Sequence, residues 1–212
     1  MLLSSWIRSF KRSSNNVCNR SIRNIGLSIT PVFRNSFFDA KKDEILAEVV
    51  AKDINEVLSK FKDINLYFVA FNTHSKVGDL NIIRKVISMI DAKHLGRIRL
   101  ITNTGTISNF LSKFSHLDAI ICCKYHSIIL SYLFEKPMIV IGYHPKNAAL
   151  VYEIGLPKRA YLSLEDVFQG KIRYRLLELL NYPDWFRAKL PVSEAKKRSL
   201  DGVLGCINTL KK

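Results

Sequence analysis

The sequence predicts an α/β fold in which a parallel sheet carries helices on both faces. From Asn24 onward, short apolar runs alternate with amphipathic segments, the order expected of strands joined by helical crossovers. The runs are continuous Ile, Leu and Val rather than alternating with polar residues, as burial on both faces of a parallel sheet requires. No internal repeat or low-complexity tract interrupts the order. The fold class is therefore a Rossmann-like parallel sheet with helices on both faces.

The first strand is expected at Ile25 to Thr30, closed by Pro31. Lys42 to Phe61 then places Ile45, Leu46, Val49, Val50, Ile54, Val57, Leu58 and Phe61 on one face at helical spacing. Leu66 to Phe71 is the second strand, Leu80 to Ile90 the second helix, and Ile98 to Thr102 the third strand. A short helix at Ser108 to Phe114 precedes strand four, Ala119 to Cys123. Ser127 to Phe134 is its helix, Met138 to Ile141 strand five, Ala148 to Ile154 the next helix, and Ala160 to Leu162 strand six. One helix is expected over Leu164 to Leu180, a break at Pro183, and a last amphipathic helix over Ser193 to Leu210, with Leu200, Val203, Leu204, Ile207 and Leu210 on one face and Pro191 just before it.

Composition narrows the partners. The 212 residues have a mean hydropathy of +0.04 and 48% apolar side chains, which excludes wholesale disorder. A net charge of +15 favours anionic partners: phosphate, carboxylate, nucleic acid or an acidic membrane face. The excess sits at the ends. Residues 1–38 carry six basic side chains and no acid, residues 39–157 carry 15 against 12, and residues 158–212 carry 12 against 6. Without a basic stripe interleaved with aromatics, nucleic acid is not an expected partner. The longest apolar stretch, Ser127 to Phe134, is too short to cross a bilayer. Four cysteines, two of them adjacent at Cys122 and Cys123, make no disulfide framework and fit a reducing compartment, so the cytoplasm is the expected location. Residues 1–23 read as a basic leader or interdomain remnant, although their Arg- and Ser-rich composition is shared with organellar transit peptides.

In an open parallel sheet, ligands bind beyond the carboxyl ends of the strands, where helix N-termini offer free N–H groups. Strand four ends in Lys124-Tyr125-His126 and strand five in Gly142-Tyr143-His144-Pro145-Lys146-Asn147, so two successive loops carry Lys and His at equivalent places. A phosphate or carboxylate between them would meet Lys124 and Lys146 and both helix N-termini. Asn103 and Thr104, in Asn103-Thr104-Gly105-Thr106 after strand three, offer further polar groups, with helix capping the plainer role. After strand two, Asn72-Thr73-His74 places His74 towards the same crevice, and Asp79 reads as a helix N-cap. Cys122, Cys123 and His126 lack the second ligand pair that a zinc site needs. No Gly-x-Gly-x-x-Gly, Walker loop or nucleophile elbow follows a strand, so no metal or cofactor is expected.

The segment from Asp118 through Lys124-Tyr125-His126, Lys136-Pro137 and Gly142-Tyr143-His144-Pro145-Lys146 resembles the polysaccharide pyruvyltransferase family. The family hallmark is Arg-Leu-His at a helix start, a Gly/Lys-x-Pro turn into the next strand, and then Tyr-x-Pro-Lys. Leu156, following Glu153-Ile154-Gly155, matches its later glycine-leucine pair. The likeness covers about Asn24 to Leu162 in element order, with residues 118–156 carrying the motifs.

The resemblance implies one half of a GT-B fold, with residues 24–192 as the donor-binding domain and residues 193–212 as a C-terminal helix. It implies transfer of a pyruvyl group from phosphoenolpyruvate to sugar hydroxyls of a glycan or lipid-linked acceptor, in the cytoplasm or at the inner membrane face. On this sequence His126 matches the family histidine, Lys124 stands where the family arginine stands, and Tyr143 and Lys146 match the later motif. Lys124 and Lys146 would hold charge, and His126 would move the proton, since an imidazole titrates near neutrality. Thr30 stands where the family's first strand ends in arginine; Arg34 is the candidate substitute. Two other readings stay open: a non-catalytic anion-binding half that pairs with a missing N-terminal domain, a separate chain or an acidic membrane surface, and one half of a nucleotide-sugar glycosyltransferase.

Overall fold

The computed structural model describes residues 21–33, 40–75, 78–103 and 105–210. The expectations placed on residues 1–20, Arg34 and Thr104 lie outside the described residues. The described elements run β1 (Asn24–Ser28), α1 (Ala40–Lys60), β2 (Asn65–Ala70), α2 (Leu80–Ser88), β3 (Ile98–Thr102), α3 (Ile107–Ser115), β4 (Ala119–Cys122), α4 (Tyr125–Leu133), β5 (Met138–Gly142), α5 (Pro145–Glu153), β6 (Tyr161–Ser163), α6 (Leu164–Phe168), α7 (Ile172–Asn181) and α8 (Val192–Leu210). The strands form one sheet of order β3-β2-β1-β4-β5-β6, and every pairing is parallel. This is the Rossmann-like sheet that the continuous apolar runs predict.

The core follows from those runs. Ile25 pairs with Leu66, Leu27 with Ile121, and Ile121 with Ile139, all at most 1% exposed, so aliphatic side chains stack in rows across the middle of the sheet. Each such side chain taken fully out of water stabilises the fold by about 1.5–3 kcal/mol. The edge behaves differently. On β3, the edge strand of the sheet among the described residues, Arg99 and Leu100 are exposed. On one face α1 packs against α2, α6 and α7; elsewhere α4 packs against α5.

Buried carboxylates pin the loops that follow two strands. Asp43, in the first turn of α1, accepts the Val32 and Phe33 amides on Oδ1 at 2.8 and 3.1 Å. Asp79, just before α2, accepts the Phe71 and Asn72 amides on Oδ2, both at 2.9 Å. The far end of α1 is closed by Arg97. Its guanidinium donates to the Phe61 and Leu58 carbonyls at 2.7 Å each and to His94 Nδ1 at 2.7 Å.

Several expected boundaries change. The single helix over Leu164 to Leu180 is two helices. Ser163 and Asp166 form a capping box that starts α6, and Gly170 then turns left-handed at φ 71°. Asp53 of α1 reaches into the gap and accepts the Arg173 amide at 3.1 Å, so α7 begins on a new N-terminus that a buried carboxylate satisfies. Helix α4 begins at Tyr125 rather than Ser127, and α5 at Pro145 rather than Ala148, which moves parts of both expected loops onto the first helical turns. The last helix starts at Val192, and Val192 and Ala195 pack on the core while Leu200 is exposed. Among the described residues, no helix is long and apolar enough to cross a membrane.

Candidate functional site

The strand order reverses at β1, whose neighbours β2 and β4 lead the chain to opposite sides of the sheet. In an open parallel sheet such a reversal is where a ligand is expected beyond the strand ends, and the Lys124 loop follows β4 there. Strand β4 ends in two fully buried cysteines. Burial pushes both thiols up to about 12, so at neutral pH they are packed, protonated groups and poor nucleophiles. Lys124 follows in extended conformation as the N-cap residue of α4. Its side chain does not cap that helix. The ammonium instead lies 2.7 Å from Asp79 Oδ1, with Asp79 fully buried and the Lys124 side chain 19% exposed. Asp79 occupies the N-cap position of α2 yet makes no side-chain capping bond; its oxygens serve the β2 loop and Lys124.

The β5 loop is built the same way and locked to the first. His144 is the N-cap of α5, and its Nδ1 accepts the Lys146 amide at 3.2 Å. Pro145 begins the helix with its φ already set and no N–H to satisfy. Asn147, fully buried, donates from Nδ2 to the Cys123 carbonyl at 3.1 Å, tying the start of α5 to the end of β4. Gly142 leaves room for Tyr161, since a Cβ there would sit 1.9 Å from the phenol oxygen. Tyr143 is half-buried. Burial raises its phenol above the usual tyrosine range, with the Cys123 thiol and the Asp79 carboxylate adding to the effect, so it stands as an O–H donor at neutral pH.

Ring contacts join the loops into one cluster. The Lys146 ammonium lies 5.4 Å from the Tyr125 ring centroid. Tyr125 meets the His126 ring edge-on at 6.2 Å, and His126 stacks on Phe71 at 6.5 Å. Phe71 also gives its amide to Asp79, which holds Lys124. The structure thus brings together Lys124, Tyr125, His126, Tyr143, His144 and Lys146. His74 lies in the β2 loop beside this cluster, exposed, its amide donating to Asn72 Oδ1 at 3.0 Å. Asn103 is exposed at the end of β3, its amide donating to the carbonyl of Ala70, the residue before Phe71, at 3.2 Å. Thr106 of the same segment caps α3, its Oγ1 accepting the Asn109 amide at 3.3 Å.

Sequence reasoning missed two members. Asp79 precedes an apolar helical run, so it reads as an N-cap, and nothing local signals a partner 45 residues away. Asn147 reads as a loop residue until the helix is seen to start at Pro145. Its Oδ1 and the Ser28 hydroxyl are buried without a hydrogen-bond partner among the described residues.

No curated protein matches the chain. Solved structures show the fold. The chain resembles UDP-GlcNAc 2-epimerase from Methanocaldococcus jannaschii with a TM-score of 0.56 at 12% identity, over 93% of this chain and 49% of that one. MnaA of S. aureus with UDP gives 0.52 at 13% identity over 98% and 53%, and UDP-GlcNAc 2-epimerase from Neisseria meningitidis bound to UDP-GlcNAc gives 0.51 at 12% identity over 93% and 48%. The chain therefore spans about half the length of these structures. The family model of polysaccharide pyruvyl transferase matches residues 2–145, a span that takes in the β4 loop and ends at the first residue of α5. With two thirds of its length matched, the chain belongs to the polysaccharide pyruvyl transferase family.

Proposed function

We propose that this chain is the donor-binding half of a pyruvyltransferase that uses phosphoenolpyruvate to form a ketal on sugar hydroxyls during polysaccharide synthesis. One observation carries the reading: the Lys146–Tyr125 contact joins two helix N-termini and two lysine-bearing loops into one cluster, in a chain that belongs to this family. Phosphoenolpyruvate carries a phosphate and a carboxylate, and the cluster offers Lys124, Lys146, the Tyr143 hydroxyl and the N–H groups of the first turn of α4, whereas the start of α5 is closed by Pro145 and by His144, which accepts the Lys146 amide on Nδ1 and the Asn147 amide on its carbonyl. In the transfer, two sugar oxygens bond to C2 of the enol, the bond from C2 to the phosphate ester oxygen breaks, and the methylene carbon gains a proton. The two hydroxyls release two protons, of which one balances the methyl group and the other leaves with phosphate. His126, at the second position of α4, is the group assigned to move a proton.

The acceptor, a glycan or lipid-linked sugar, would come to the crevice from a second half, in this protein or a separate chain. The cytoplasm, or its inner membrane face, would be the place. Calorimetric titration with phosphoenolpyruvate at low salt tests the reading. We expect weak binding that Lys146→Ala and Lys124→Ala each weaken by about tenfold, or roughly 1.4 kcal/mol. Absence of binding at millimolar ligand, or binding indifferent to both changes, sinks the donor site. One observation favours the alternative of a non-catalytic anion-binding half: Asp79 offsets the charge of Lys124. The two readings separate at His126, which matters only if a proton is moved.

A further inference from the structure

Asp79 carries two separate loads. Its Oδ2 receives the Phe71 and Asn72 amides, and its Oδ1 receives the Lys124 ammonium from another part of the chain. Asp43 supplies a comparison within the same molecule, because a single oxygen there receives both amides of the β1 loop. At Asp79, as at Asp43, both loop amides fall on one carboxylate oxygen, and the bond to Lys124 is made by the other oxygen of Asp79. Nor does Lys124 cap its own helix. A lysine ammonium has three N–H donors, and Asp79 uses one. The Lys124 side chain is 19% exposed, so the ammonium rests on a fully buried carboxylate while part of the side chain reaches solvent.

We propose that Asp79 is a positioning residue of the donor site, fixing the Lys124 ammonium beside the end of β4 so that its remaining N–H donors meet the anionic donor in one place. This rests on the donor-site reading above and adds to it a residue that touches no substrate. Two effects oppose each other when the carboxylate is removed. By Coulomb's law alone, an anion site that loses a negative charge binds an anion more tightly. An unanchored lysine, however, has a flexible four-carbon stem whose rotamers must be fixed again on binding, which weakens it. The proposal commits to the second effect.

The measurement is the dissociation constant for phosphoenolpyruvate in the full chain, in the parent, in Asp79→Asn, in Lys124→Ala and in the double variant. Asparagine keeps an oxygen for both loop amides, so the fold is retained and thermal unfolding confirms it. We expect Asp79→Asn to bind about tenfold more weakly, and to have no further effect once Lys124 is alanine, as a pair acting through one contact requires. Amine-reactive labelling without ligand should be faster at Lys124 in Asp79→Asn than in the parent. Tighter or unchanged binding in Asp79→Asn, losses that simply add in the double variant, or unchanged labelling would each overturn the proposal. If Asp79→Asn does not fold, the parent answers the question: the hydrogen-bonded Lys124 ammonium should give a nitrogen resonance that persists when phosphoenolpyruvate is added, and its loss overturns the proposal. A parent that binds no phosphoenolpyruvate at millimolar concentration removes the donor reading and this proposal together, whereas a binding parent whose variants do not differ removes only the proposal.

Discussion

Lysine at position 124 gives the site a point charge where the family motif has a planar fork, and the consequence is measurable. In the structure its ammonium is already bonded to Asp79 at 2.7 Å, so an anion competes for the donors that remain. An arginine there could keep one N–H on Asp79 and still present two parallel donors to a carboxylate or phosphate. We therefore expect Lys124→Arg to bind phosphoenolpyruvate about tenfold more tightly, roughly 1.4 kcal/mol, by calorimetric titration. Weaker binding would mean that Lys124 is fitted to another ligand. At this scale the cations and imidazoles of the candidate cluster were legible in the sequence, because a loop between an apolar strand and a helix makes polar side chains stand out along the chain. The sequence was a poor guide to Asp79 and Asn147. Their roles depend on what lies across the strand ends, at Lys124 and at the Cys123 carbonyl, and no local pattern encodes that.

Among the elements, the end of α1 shows how a buried histidine makes stability depend on pH. His94 is 1% exposed and lies between Ser59, 3.0 Å from Nε2, and Arg97, 2.7 Å from Nδ1. A guanidinium can only donate, so Nδ1 accepts, and the ring proton resides on Nε2, directed at the Ser59 hydroxyl. Burial, and then the Arg97 charge, hold the His94 pKa below the usual histidine value. In the unfolded chain this imidazole takes up a proton as the pH falls below about 6.5, whereas in the folded chain it stays neutral. The unfolded state then binds more protons, so the contribution of His94 is fully present above about pH 6.5 and declines as the pH falls towards the lowered value. Thermal unfolding between pH 8 and pH 5.5 should show this decline, with a shallower one in His94→Gln; equal slopes would place the effect elsewhere. Element boundaries were legible where apolar periodicity set them, as in α1 and the central strands. They failed at 164–181, where Gly170 and the Asp53 carboxylate from a distant helix restart the chain as α7.

For the molecule as a whole, sheet order decides which loops can act together. Placing β1 between β2 and β4 brings Phe71, Lys124 and His126 together at one end of the sheet, although 55 residues separate the first from the last. His126 is exposed at the second position of α4, with its ring against Phe71 and Tyr125 and Lys146 one residue contact further on. It therefore has neighbours that orient it, while an edge remains available to a ligand. Pyruvyl transfer needs a proton delivered to the methylene carbon and protons taken from two hydroxyls, and a positioned acid or base contributes about 10²–10⁴-fold. The bland alternative is an orienting role at the start of the helix. Glutamine separates the two, because it keeps hydrogen-bonding capacity and removes titration. With the acceptor-bearing half and a sugar diol supplied, we expect His126→Gln to bind phosphoenolpyruvate nearly as the parent does. Its rate of phosphate release should fall by about 10²-fold or more. Retention of the full rate would make His126 a structural group and leave the cluster an anion-binding surface, whereas loss of binding and rate together would place His126 in donor recognition.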